Sequence, residues 1–484
     1  MKEISIDPIT RLEGHGSISI FLNDAGEVEN AYLKIPELRG FEQFCVGRRA
    51  ELMPLLTTRI CGVCPVAHHF ASAKALDAAF NVEPPSAAKK LRELMYAAYF
   101  IYDHTLHFYY LGGPDFVVGP DALPEKRNII GVIEKAGLDI GKEVIKHRAY
   151  GQKMTEIIGG KATHPVCALP GGVSKPLSEE NRAEIERMAA SSVEFAKFSL
   201  KLFHNIVLGN TKYVDLIKSQ SYVHKTYYMG LVDEHNKVNF YDGKVRVVDQ
   251  NARELLKFEP KDYLEHVGEH VEQWTYAKMP FLKKVGWKGL VDGPDSGIYR
   301  VGPLGRLNAS DGMATPLAQA EYELMYKTLG GKPVHNTLAF HWARLIELLY
   351  ATERALELSR DPEITSKDVR AVPKEPGEGV GIVEAARGTL IHHYVLDKDA
   401  LVKEVNLIVA TTNNYPAICM SVRDAAKGMI HGDKIDQGVL NMVEMAFRAY
   451  DPCFACATHL AVGQMPLTLK IYDSKKRLIR TLSR

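Results

Sequence analysis

Two C-x-x-C pairs stand near opposite ends of this 484-residue chain. Cys61 and Cys64 lie in Arg59-Ile60-Cys61-Gly62-Val63-Cys64, with His68 four residues on, and Cys453 and Cys456 lie in Asp451-Pro452-Cys453-Phe454-Ala455-Cys456, with His459 three residues on. One such pair puts two thiolates within reach of one metal, and two pairs complete a tetrathiolate site suited to zinc, nickel or iron. The pairs are 389 residues apart, so a shared site requires a fold that brings the two ends of the chain together. Zinc ribbons keep their pairs about 15–20 residues apart. That spacing weighs against a structural zinc site without removing it. A redox dithiol accounts for only one pair at a time. Cys45, Cys167 and Cys419 are scattered singles, read as small buried hydrophobes.

The rest of the chain reads as a large soluble protein. Hydrophobic residues make up 46% and charged residues 25%, enough for a sizeable core and too ordered in character for a disordered chain. Lys plus Arg (60) balances Asp plus Glu (59), so nothing in the charge recruits nucleic acid or an anionic membrane. No run approaches the roughly 18 apolar residues of a spanning helix, so no direct membrane insertion is expected. MKEISIDPIT has no apolar signal region, and the odd, low cysteine count suits a reducing compartment. Together these give a cytoplasmic expectation.

Helical apolar spacing predicts helices over 66–80, 87–111, 179–208, 334–360 and 434–449, the third opened by Ser178 and the last by Asp433 as N-cap. Strands are predicted over 16–22 and 28–35 around Asn23-Asp24-Ala25-Gly26, within 220–249 around Asp242-Gly243, and as a pair over 389–396 and 401–410. The fold class is mostly α with small peripheral β-sheets (α+β), a large helical-bundle core. Residues 1–459 are expected to form a single domain, with a β-rich segment at 1–38 and a β-rich insertion at 220–249. Residues 460–484 form a C-terminal extension.

With their flanks, the cysteine pairs resemble the two signatures of the nickel–iron hydrogenase large subunit. R-x-C-G-x-C-x-x-x-H stands as Arg59 to His68, and D-P-C-x-x-C-x-x-H as Asp451 to His459. A third family motif, R-x-E-G-H, stands as Arg11 to His15. The resemblance frames almost the whole chain in the expected order. It implies reversible heterolytic cleavage of H2 at a nickel–iron centre with carbon monoxide and cyanide on the iron. All four cysteines would bind nickel, and Cys64 and Cys456 would bridge to iron.

By the same resemblance Glu13 carries the proton, Arg387 lies over the iron, and Asp103 and Asp451 surround that arginine. Where relatives have proline before the arginine, this chain has Ala386, which leaves the local backbone less fixed. Thr411 matches the segment whose hydroxyl bonds a cyanide, with Thr412 beside it. His68 would hydrogen-bond the Cys64 thiolate. Glu42, the carbonyl of Leu407 and His459 would hold Mg2+, with water completing the shell.

Three scattered cysteines cannot supply the four ligands of an iron–sulfur cluster, and no G-x-G-x-x-G follows a predicted strand. Electrons must therefore leave through another chain. The resemblance supplies an iron–sulfur small subunit in an obligate heterodimer. Length, the Thr411-Thr412 segment and the HHY after Gly388 look most like the soluble cytoplasmic group of these hydrogenases, and within it the expected type is the methyl-viologen-reducing one coupled to a heterodisulfide reductase. The deazaflavin-reducing and nicotinamide-reducing types are its rivals. The extension 460–484, with six Lys or Arg and one acid, reads either as a peptide removed by a maturation endopeptidase or as a permanent hairpin of LTLKIY and RLIRTL.

Overall fold

A computed structural model describes residues 2–432, 435–458, 468–472 and 477–483. The chain opens as an antiparallel sheet of β1 (Lys2–Ile6), β2 (Ser17–Leu22) and β3 (Val28–Lys34). The helical body follows, with α1 (Pro65–Ala79), α2 (Ser86–Leu106), α3 (Leu138–Gly159) and α4 (Glu179–Phe203). A second sheet joins β4 (Tyr227–Val232), β5 (Lys244–Val248) and β6 (Glu254–Phe258), with β7 (Tyr299–Arg300) parallel to β4. Helix α5 (Phe340–Ser359) precedes a third sheet, β8 (Glu378–Ala385), β9 (Gly388–Leu396) and β10 (Val402–Ile408). The body closes with α6 (Ala410–Met429) and α7 (Gln437–Arg448). Strands β11 (Thr468–Tyr472) and β12 (Leu478–Ser483) pair antiparallel.

Helix α5 packs on α2 and α4, and α3 also packs on α2 and α4. One hydrophobic cluster draws side chains from Ile9 to Ala457. The architecture is the expected α+β class with small sheets around a helical core.

Local chemistry explains where elements start. Ser178 accepts from Asn181 N–H with Glu179 and Glu180 in the first turn of α4, a cap complemented by the helix dipole. Helix α7 is capped by Asp436, which accepts from Val439 N–H at 2.8 Å. Asp433, the expected cap, lies outside the described residues.

Several expectations need correction. The helix expected from 334 begins at Phe340, after a short 3-10 turn. Asn308 bonds both backbone groups of Val334 (2.8 and 3.1 Å) and so holds that residue out of the helix. The segments 87–111 and 179–208 each end in a π-helical turn, at His107–Gly112 and His204–Leu208. Asp242-Gly243 is not a two-residue hairpin turn: it ends the longer connection 233–243 between the paired strands β4 and β5, and residues 239–241 before it form no strand. The strand expected over 401–410 ends at Ile408 and gives way to α6, so Thr411 and Thr412 sit in a first helical turn.

Helix α1 and strand β8 approach unusually closely. A Cβ at Gly379 would collide with Ala75 and Ala79, and one at Gly381 with Ala71 and Ala75. Small residues on both partners let the helix that follows Cys64 lie against the strand that leads to Arg387.

Candidate metal centre

Cys61 and Cys64 end a 3-10 turn and open α1, with Pro65 at its first position, where the missing N–H costs nothing. Cys453 and Cys456 flank and lie within a one-turn helix, Phe454–Ala457. The N-terminal segment fixes this second pair. Phe454 N–H donates to the Glu13 carbonyl at 3.0 Å, and Glu13 bridges Cys453 in parallel. Gly14 (φ +88) makes this approach possible, since a Cβ there would meet Ala455 N at 2.8 Å.

The four sulfurs converge. All lie within 4.8 Å of one another and all four residues are buried. Cys61 is 3.3 Å from Cys453, Cys64 is 3.5 Å from Cys456, and Cys453 is 2.9 Å from Cys456. Four thiols this close cannot all ionise without a cation. Hydrogen bonds from Cys453, Cys456 and Cys64 hold the Cys61 thiol well below its usual range, whereas burial pushes Cys453 and Cys456 well above it. The soft-donor set fits nickel or iron, as it also fits zinc.

Around the sulfurs the expected side chains assemble. Glu13 Oε2 is 2.8 Å from Cys453 Sγ and accepts from Ala455 N–H at 3.2 Å. Burial, and then the Cys61 charge, raise its carboxyl above the usual range, as suits a group that must take up and release protons. Arg387 forms ion pairs with Asp103 (3.1 Å) and Asp451 (2.9 Å). Burial alone would lower its pKa, but these two carboxylates outweigh it and hold it well above the usual value. Burial pushes Asp451 up to about 7 against the pull of Arg387 and Arg344. The buried Arg387 Nε and Thr412 Oγ1 make no hydrogen bond within the protein. The orphaned Arg387 Nε fits an anionic or polar group in the small cavity lined by Cys64, His68, Arg387, Thr411, Cys453 and Cys456.

Other predicted residues sit less simply. Thr411 Oγ1 accepts from Cys453 N–H at 3.0 Å, so it already orients the cysteine backbone. His68 Nδ1 lies 3.1 Å from His392 Nε2, and His392 Nδ1 lies 2.8 Å from Tyr394 Oη. Glu42, buried on a short helix, accepts from Leu407 N–H at 2.8 Å, which brings these two expected Mg2+ ligands together. His459 lies outside the described residues.

Sequence reasoning missed the framework behind Arg387. Arg306 bridges Glu347 and Glu384 with all three side chains fully buried. It also donates to the carbonyls of Ala385 and Ala386. Glu384 stands three residues before Arg387, but nothing in the sequence links it to Arg306 or Glu347.

A family model described as nickel-dependent hydrogenase matches residues 39–128 and 294–459, and a HoxL-like model matches 3–38. An iron-sulfur subunit of the F420-non-reducing hydrogenase of Archaeoglobus profundus is 48% identical over all of this chain and 99% of its own. The beta subunit of the NAD-reducing hydrogenase HoxS of Cupriavidus necator is 38% identical over 99% of each chain. Among solved structures, an NAD+-reducing [NiFe]-hydrogenase in the H2-reduced state superposes with a TM-score of 0.90 at 37% identity. It covers 95% of this chain and 100% of its own. A Ni-Fe-Se hydrogenase from D. vulgaris Hildenborough gives 0.76 at 25% identity, covering 95% and 100%. Convergent thiolates, fold and full-length similarity together place the chain among the nickel-dependent hydrogenases, where it is the catalytic large subunit that carries the nickel–iron centre.

Proposed function

We propose that this subunit splits H2 heterolytically, and that Cys61, Cys64, Cys453 and Cys456 would hold nickel, with Cys64 and Cys456 also serving as ligands of an iron that would bear carbon monoxide and cyanide. The observation that carries this reading is the convergence of four buried sulfurs within 4.8 Å from both ends of the chain. When bound, the metal pair supplies a soft, electron-rich site that polarises H–H. The protein's own groups do the rest. Glu13 Oε2, 2.8 Å from Cys453 Sγ, carries the proton away. Arg387, held by Asp103 and Asp451, would offer its guanidinium to the anionic ligands of the iron. Thr411 fixes Cys453 and lines the same cavity. His68 supports the Cys64 side. Glu42, the Leu407 carbonyl and His459 hold Mg2+.

Electrons pass to the clusters of an iron–sulfur small subunit. Relatives named F420-non-reducing hydrogenases, 48% and 40% identical, weigh against F420 as the acceptor, and the acceptor we propose is of the heterodisulfide reductase or ferredoxin type. The 0.90 TM-score to an NAD+-reducing enzyme favours nicotinamide as the second reading. A maturation endopeptidase removes residues 460–484 once nickel is in place, which an intact mass of the nickel-loaded protein tests. For the centre itself, metal analysis of the heterodimer is expected to give one nickel and one iron per chain, with infrared bands from carbonyl and cyanide. Zinc at the four cysteines would overturn the reading.

A further inference from the structure

Helix α2 grips the turn that carries Arg387 at three successive points. Tyr96 Oη donates to the Glu384 carbonyl at 2.9 Å, Tyr99 Oη accepts from Ala386 N–H at 3.1 Å, and Asp103 Oδ2 accepts from Arg387 Nη1 at 3.1 Å. Positions 96, 99 and 103 share one helical face, and they meet residues 384, 386 and 387 in the same order. From elsewhere in the core, Arg306 Nη1 donates to the Ala385 carbonyl at 2.7 Å.

Ala386 and Arg387 form the two-residue connection between the paired residues Ala385 and Gly388. Ala386 is fully buried. A buried N–H without a partner is costly, so the Tyr99 hydroxyl sets where this backbone sits. Arg387 must reach Asp103 and Asp451 at once, at 3.1 and 2.9 Å. A shift of the turn by a few tenths of an ångström lengthens one of the two.

We infer that Tyr99 is a positioning residue, whose hydroxyl anchors the Ala386 amide so that the Arg387 guanidinium is held over the metal centre. The inference rests on the reading of Arg387 proposed above. Tyr99 acts through the backbone and touches the turn, not the reacting atoms.

The test uses the heterodimer. In Tyr99→Phe, which keeps the ring, amide exchange at Arg387 and Gly388 is expected to accelerate roughly tenfold, and the infrared bands of the iron's diatomic ligands are expected to shift. The double variant Tyr99→Phe with Ala386→Pro removes the stranded N–H, and proline suits the first position of a tight turn. It is expected to restore slow exchange and the original bands. Unchanged exchange in Tyr99→Phe would overturn the anchor. Faster exchange with unmoved bands would overturn the positioning role. If the unsubstituted heterodimer shows no such bands, the reading of the centre fails, and the exchange result alone decides the anchor.

Discussion

Glu13 and Cys453, 440 positions apart, meet through both backbone and side chain. They form a parallel bridge, and Glu13 Oε2 lies 2.8 Å from Cys453 Sγ. The carboxylate is therefore set by the same strand-like contact that sets the sulfur. Any change in the position of one moves the other.

Replacing Glu13 by Gln keeps the size and the bond from Ala455 N–H but removes the titrating proton. H2 oxidation and H/D exchange are expected to fall at least about 100-fold, the scale of a lost proton-transfer group. Nickel and iron content should be unchanged. Wild-type exchange rates in this variant would remove Glu13 from the proton route.

The Arg306 cluster makes a stability prediction. Arg306→Met leaves Glu347 and Glu384 as buried carboxylates without their cation. The expected loss is about 3–5 kcal/mol, read by denaturant unfolding. Adding Glu347→Gln and Glu384→Gln should recover part of it.

Buried histidines, His69 and His341 among them, make the fold acid-sensitive. Burial holds His69 down to about 4 and His341 to about 3. Their folded pKa values lie below the unfolded value near 6.5, so the unfolded chain takes up protons first. Their contribution is complete above pH 6.5 and is lost as pH falls toward the folded values. Between pH 6.5 and 5 each group is expected to remove about 2 kcal/mol. His69 is the clearer case, because its Nδ1 donates to the Pro54 carbonyl at 2.7 Å and its Nε2 accepts from Ala168 N–H at 2.9 Å. Protonation would put a second donor against that N–H. His69→Gln should flatten the pH dependence of unfolding by about one proton.

The contact between α1 and β8 predicts intolerance of bulk. Gly381→Val forces a side chain into the Ala71 and Ala75 backbone and is expected to destabilise by about 3 kcal/mol. Because α1 follows Cys64 and β8 leads to Arg387, nickel content should fall as well. A variant with wild-type melting temperature and full nickel would show that this packing is not limiting.

Much of the centre was legible without coordinates. The four cysteines stand in local patterns whose chemistry is specific, the family resemblance implied Glu13, Arg387, Asp103 and Asp451, and the structure brings them together. Helix α6 was not legible. Its first residues, Ala410-Thr411-Thr412-Asn413-Asn414, include poor helix formers and Pro416 follows. The helix forms because residues 410–422 are buried in the core. Strand β8 was hidden for the opposite reason, since its glycines weaken any strand signal while permitting the close approach to α1.

The sequence by itself determined the donor set, because nickel and iron chemistry demands particular atoms and short motifs specify them. Tertiary structure alone decided how the turn that carries Arg387 is held. Tyr96, Tyr99, Arg306, Glu347 and Glu384 lie scattered between positions 96 and 384, and their pairing depends on buried hydrogen bonds. Such bonds gain their strength from exclusion of water, a property of the packed interior that no local pattern encodes.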